Sequence, residues 1–119
     1  MDPNDVTFKL IDVEGDITKR VELLYKGNET GMIVEIKNFN GYRVEAYLWL
    51  RMKDMVIDVQ PHMIYFKEGG NTKRLEDYIR KEFRSIVAAC EDAVDMLRAD
   101  IETSDCRFEK INKLLNEED

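Results

Sequence analysis

The spacing of apolar residues changes once along the chain, and this change constrains the fold more than any other feature of the sequence. Apolar residues recur mostly at every second position before Gly69-Gly70, and at every third or fourth position after it. A period of two is typical of β-strands and a period of three to four of α-helices. With 119 residues the chain can build one hydrophobic core. We therefore predict a single α+β domain over residues 1–119, with a sheet at residues 5–67 and a helical part at residues 71–116.

The first half of the chain predicts a mostly antiparallel sheet of about five strands. Polar or glycine-containing turns separate the strands at residues 14–16, 26–31, 40–41 and 53–54. The clearest strand runs from Tyr42 to Arg51, because its even positions are all apolar. Pro61 interrupts the last strand, which suits a strand at the edge of the sheet.

Asn40-Gly41 is the strongest turn signal, and it favours a two-residue turn between the third and fourth strands. That register places Val34 opposite Tyr47 and Ile33 opposite Leu48. Both faces of the sheet then carry apolar side chains. One face would pack under the helices, and the other would need cover from elsewhere, for which a second copy of the chain is a candidate.

A three-residue loop is the alternative at this hairpin. It would collect apolar side chains of both strands on one face; these are Met32, Val34 and Ile36 beside Leu48, Ala46 and Val44. It would also place Glu35 opposite Glu45 and Lys37 opposite Arg43, and like charges in such pairs repel each other. The two-residue turn is therefore the preferred prediction.

The helical part begins with a long apolar stripe. Its members are Leu75, Ile79, Phe83, Ile86, Cys90, Ala93, Leu97 and Ile101. Their spacing suits a helix on a sheet as well as the seam of a coiled coil. No proline or glycine follows Gly70, so we predict one helix over residues 72–102 that overhangs the sheet. Residues 103–105 favour a break, and a short helix to about Leu115 then folds back or reaches a neighbouring subunit.

The charges of the long helix are ordered against its dipole. Basic residues are in excess over residues 72–85 and acidic residues over residues 91–105. An antiparallel partner helix would compensate this order, and solvation of both halves would also account for it. With the two-sided sheet, the order favours a homodimer or higher homo-oligomer. The acidic half would suit a basic protein partner, through Glu91, Asp92, Asp95, Asp100 and Glu102.

The chain is poor in residues that support catalysis. It contains one histidine, His62, and neither of its two serines lies at a sharp turn that would expose a nucleophile. Cys90 and Cys106 with His62 are too scattered to bind zinc, although a Cys-His pair stays open. The segment 12–16 predicts a hairpin turn, since it lacks the length of a calcium-binding loop. We expect no catalytic residues, no metal and no cofactor.

Composition excludes several classes of protein. The chain is 44% hydrophobic, which is too apolar for intrinsic disorder, and no apolar run reaches the roughly 20 residues that span a bilayer. The first residues, Met1 to Asp5, are acidic where a signal peptide would be basic. We therefore expect a cytoplasmic protein. The formal net charge of -7 argues against binding of long nucleic acid.

Two segments predict a possible site for a small anion. Gly69 and Gly70 precede a helix start that carries Lys73 and Arg74, so free backbone amides and two cations could meet a phosphate. The odd positions of the fourth strand add cations and aromatic rings on which a base could stack; these are Arg43, Tyr47, Trp49 and Arg51. A plain helix cap, with Tyr47 and Trp49 covered by a helix or a subunit, is the structural alternative.

These features favour a non-enzymatic binding protein. We expect a small acidic homo-oligomer that occupies and inhibits a partner macromolecule, as inhibitors, antidotes and regulators do. The alternative is a receptor or sink that sequesters a small phosphorylated, nucleotide-like ligand in a basic pocket. One form of this alternative places the pocket at the subunit interface.

Overall fold

The computed structural model describes residues 2–15, 17–39, 43–51, 56–67, 72–97 and 107–117, with the backbone alone at residues 43, 60–67, 72, 96–97, 107–110 and 112. After one turn of 3-10 helix at Pro3–Asp5, the strands are β1 (Val6–Glu14), β2 (Thr18–Tyr25), β3 (Asn28–Asn38), β4 (Arg43–Arg51) and β5 (Val56–Lys67). The helices are α1 (Thr72–Lys81), α2 (Phe83–Leu97) and α3 (Arg107–Glu117).

The strands form one antiparallel sheet in the order β1-β2-β3-β4-β5, which confirms the predicted α+β fold. The predicted loop at residues 26–31 is much shorter than expected. Tyr25 pairs with Asn28, so only Lys26 and Gly27 form the turn. Their φ angles of 50° and 79° match a type I′ turn, whose backbone twist suits a hairpin.

The register between β3 and β4 differs from the preferred prediction. Val34 lies opposite Leu48 and Ile36 opposite Ala46, so the pairing of Val34 with Tyr47 is wrong. The Asn40-Gly41 turn itself lies outside the described residues. The prediction of the register is sensitive because side chains alternate between the two faces of a strand. A slip of one residue in the pairing therefore moves every side chain to the opposite face. The observed register brings the apolar side chains of both strands to the face that the helices cover.

All three helices pack on this one face, which we call the inner face. Its core contains alternate residues of every strand and the apolar stripe of α1 and α2, including Leu75, Ile79, Phe83, Ile86 and Cys90, each at most 2% exposed. Phe83 stacks on Tyr25 of β2, with ring centroids 5.4 Å apart. The described part of the stripe, from Leu75 to Ala93, is therefore packed inside one chain, and the side chains of Leu97 and Ile101 lie outside the described residues.

The single long helix of the prediction is two helices. α1 ends at Lys81 and α2 begins at Phe83. The Glu82 N–H still donates to the Tyr78 carbonyl at 2.9 Å, so helical hydrogen bonding continues at the junction. Because α1 ends here, Arg80 and Lys81 lie in its last turn, where the helix dipole favours cations. The homo-oligomer predicted from the charge order stays a prediction.

The last helix, α3, folds back onto the sheet. Ile111 and Leu115 belong to the core of the inner face and are at most 3% exposed. The predicted break at residues 103–105 lies outside the described residues. None of the described helices is both long and apolar enough to cross a membrane.

Candidate binding face

The second face of the sheet, which we call the outer face, carries no helix among the described elements. Strand pairing places the odd residues of β3 and β4 and the even residues of β2 on it. At its centre lie Arg20, Glu22, Ile33, Glu35, Lys37, Glu45, Tyr47 and Trp49. The sheet therefore has one face built for packing and one that presents charged and aromatic side chains.

Arg20 is the hub of an ion-pair network on this face. It donates through Nε to Glu35 at 3.0 Å, through Nη1 to Asp12 at 3.0 Å and through Nη2 to Glu14 at 2.6 Å. The hydrogen bonds with Glu14 and Glu35 raise the pKa of Arg20 above its ordinary value, so the group is a permanent cation. Three carboxylates on one guanidinium leave a local excess of negative charge.

Tyr47 is held on the outer face by two polar neighbours. Its hydroxyl donates to a carboxylate oxygen of Glu45 at 3.0 Å. The Lys37 ammonium lies 5.5 Å from the centre of the ring and 3.8 Å from a carboxylate oxygen of Glu35. The ring is thus fixed beside the Arg20 network through Glu35, and it remains partly exposed.

Trp49 is the residue whose polar group is unpaired. It lies opposite Ile33 of β3 and Asp58 of β5 and is partly exposed. Its indole N–H is buried and has no hydrogen-bond partner within the described part of the chain. A buried donor without an acceptor costs about 1–3 kcal/mol.

A buried glutamate supports the neighbouring bulge. Glu22 is 2% exposed, and its carboxylate accepts the backbone N–H of Gly31 at 2.9 Å. Thr30 reaches across to the Leu23 carbonyl at 2.6 Å and accepts the N–H of Met32 at 3.0 Å. Gly31 has a φ of 76°, which other residues rarely adopt. These bonds replace ladder pairing where β3 carries extra residues opposite Leu23.

A shallow groove of about 530 Å³ lies at one end of the outer face. Its lining includes Glu14, Thr18, Arg20, Glu35 and Lys37, with Ile17 and Phe39 at the rim of the sheet. The groove combines two carboxylates and two cations with an apolar rim, so its lining carries no net charge.

The residues of the predicted anion site are divided by the sheet. Tyr47, Trp49 and Arg51 lie on the outer face, and none of the described helices covers them, so their cover by a helix or a subunit stays a prediction. Arg43 lies on the same strand, where it pairs with Lys67 of β5, and only its backbone is described. Lys73 and Arg74 are exposed on α1, which packs on the inner face.

The two glycines of that prediction, Gly69 and Gly70, lie outside the described residues. Glu91, Asp92 and Asp95, predicted to meet a basic partner, are exposed on α2 and so point away from the sheet. Asp100 and Glu102 of the same prediction also lie outside the described residues.

Among the described residues, no cluster of three or more histidine, cysteine, aspartate or glutamate side chains is arranged to hold a metal. Cys90 is fully buried in the core and packs as an apolar residue. Cys106 lies outside the described residues, and so does the side chain of His62.

Sequence reasoning missed the Arg20 network and the buried Glu22. Both occupy alternate positions of β2, which reads as an ordinary amphipathic strand with solvated charges.

No family model matches the chain, and no curated protein or solved structure is significantly similar to it.

Proposed function

We propose that this chain is a non-enzymatic, cytoplasmic, homo-oligomeric binding protein that occupies and inhibits a basic protein partner through the outer face of its sheet. One observation carries the proposal: the face without helices holds the buried, unpaired indole N–H of Trp49. A partner carbonyl or carboxylate would complete that hydrogen bond once the indole ring turns and brings the N–H to the surface.

The charge of the outer face favours a basic partner. Its described carboxylates outnumber its described cations; the carboxylates are Asp12, Glu14, Glu22, Glu29, Glu35, Glu45 and Asp58, and the cations are Lys9, Arg20, Lys37 and Arg51. Complementary charge raises association rates and selects partners. Arg20 is already surrounded by carboxylates, which speaks against a small phosphorylated ligand at this network.

The two aromatic residues would supply the anchors of such an interface. Tryptophan, tyrosine and arginine are the residue types that most often dominate protein–protein binding. Tyr47 and Trp49 lie on the same face of β4, two residues apart, and Tyr47 is held by Glu45 and Lys37. A ring already fixed in place loses little conformational entropy on binding.

The proposal is tested by site-specific photo-crosslinking in the native host. A photoreactive phenylalanine analogue replaces Tyr47 in one variant and Asp92 on α2 in a matched variant. We expect the variant at position 47 to crosslink to one basic polypeptide whose own activity is lost in the crosslinked complex, and the variant at position 92 to give none. Crosslinks only from position 92 would place the interface on the acids of α2 and overturn the outer-face proposal.

Affinity measurements with the crosslinked partner then test the role of the indole. Trp49→Phe keeps an aromatic ring and removes the donor, so we expect binding to weaken about tenfold. The free energy of unfolding of the free protein should not fall, because that donor is unpaired there. Arg74→Ala is the control on α1 and should bind normally. A loss with Arg74→Ala and none with Trp49→Phe would place the interface on α1 and overturn the outer-face proposal.

A further inference from the structure

The strand β1 forms one edge of the sheet, and the described residues cover only its beginning. The Arg80 guanidinium donates through Nε to the Val6 carbonyl at 3.2 Å and lies 5.0 Å from the centre of the Phe8 ring. An uncovered edge strand exposes backbone N–H and C=O groups that can pair with another strand. The free part of this edge therefore begins after Val6.

That free part is also the most apolar exposed region of the described chain. Leu10 is 58%, Ile11 37% and Val13 57% exposed, and Ile17 beside them is 46% exposed. Leu10 and Val13 lie on the inner face, at the end of the sheet that the described helices leave uncovered. Natural edge strands usually carry charges or bulges against pairing, and this one combines the charges of Lys9 and Asp12 and a bulge with exposed apolar residues between them.

We propose that β1 pairs antiparallel with β1 of a second copy of this chain, so that the two sheets join edge to edge about a twofold axis. This inference rests on the homo-oligomeric part of the proposed function and is independent of the outer face. The partner is a second copy because, in one antiparallel register, the side chains of two β1 strands are complementary to each other.

In that register Lys9 lies opposite Asp12 of the second copy, and Phe8 opposite Val13 of the second copy. The bulge after Leu10 shifts the alternation by one residue, which places Lys9 and Asp12 both on the outer face and Phe8 and Val13 both on the inner face. The twofold axis generates each pair twice. Opposite charges therefore meet on one face and apolar side chains on the other.

The charges of this register are available for pairing. Lys9 and Asp12 each have a partner within the chain, Glu29 at 3.2 Å and Arg20 at 3.0 Å, yet their side chains are 55% and 57% exposed. Val6 directs its carbonyl away from β2, toward Arg80. Because the backbone N–H and C=O groups alternate in direction along a strand, those of Phe8 also point away from β2. After the bulge, those of Val13 do the same.

Complementary charge reversal tests this register. In Lys9→Asp two acids face each other across the axis, and in Asp12→Lys two bases do, so each variant alone should dimerise at least about tenfold more weakly than the wild type. Mixing the two variants restores both attractive pairs. We therefore expect a heterodimer in native mass spectrometry and sedimentation equilibrium when they are combined, with one variant isotopically labelled.

Lys113→Asp makes the same change of charge on the exposed side of α3 and is the matched control. It should leave the dimer affinity unchanged. A wild type that stays monomeric at about 100 µM, the weak end expected for a small interface, would overturn the proposal. So would dimers in both charge variants, or no heterodimer in the mixture. Crosslinking at position 47 would be unaffected by these results, so the two proposals fail separately.

Discussion

At the scale of single residues, Glu22 shows how a charge-bearing side chain serves the fold. Its carboxylate accepts the Gly31 N–H at 2.9 Å inside a face that is otherwise partly exposed. That N–H would have no ladder partner at the bulge, and a buried unpaired N–H is destabilising. The residue therefore acts as a structural acceptor that permits β3 to hold its extra residues.

We predict that Glu22→Ala lowers the free energy of unfolding by about 1–3 kcal/mol, because the Gly31 N–H loses its acceptor. Glu22→Gln keeps a side-chain oxygen at the same reach and should lose less than half as much. Urea denaturation at neutral pH measures both values. Equal losses in the two variants would mean that the charge, and not the hydrogen bond, is what the bulge requires.

At the scale of elements, the β3–β4 register explains what the sequence could and could not predict. The five strands and their antiparallel order follow from a period of two and from turn residues, which are local signals. Register depends on packing against distant helices. The three-residue alternative opposes Glu35 to Glu45, whereas the observed pairing puts Lys37 opposite Glu45. That alternative has the correct face with an offset that is wrong by two residues.

The candidate site was predictable to a similar extent. The alternation of β4 correctly placed Tyr47 and Trp49 on one face, because it depends only on the strand itself. The helix start that was joined to them belongs to α1 on the inner face. Whether a helix start and a strand residue lie on the same side of the sheet depends on which face the helices cover. No local sequence pattern specifies that face.

The position of α3 gives a prediction at the same scale. Ile111 is fully buried against the sheet, whereas Leu114 on the same helix is only partly buried. Ile111→Ala should lower the free energy of unfolding by about 2–4 kcal/mol, and Leu114→Ala by clearly less. The loss should not depend on protein concentration, since the contacts lie within one chain. A concentration-dependent loss would mean that α3 packs on a neighbouring subunit.

At the scale of the whole molecule, pairing of two β1 edges would change what the outer face offers. The twofold axis would run through the sheet, so both outer faces would lie on the same side. A ten-stranded sheet would then present two copies of the Tyr47 and Trp49 anchors on one surface. A partner with two matching segments would bind such a surface more tightly than either copy alone, through effective concentration. The sequence pattern predicts a homodimer through a helical seam, whereas this dimer would form through the β1 edge of the sheet.

Amide hydrogen exchange tests this assembly without any change of sequence. Backbone N–H groups of β1 that point away from β2, such as that of Phe8, exchange with water in the monomer and become hydrogen-bonded in the dimer. We expect their exchange to slow at least about tenfold as the protein concentration passes the dimer dissociation constant, because only the dimer protects them. The other edge, β5, should not change, and Lys9→Asp should abolish the effect on β1. Protection that grows along β5 instead would show that the copies meet at the opposite edge of the sheet.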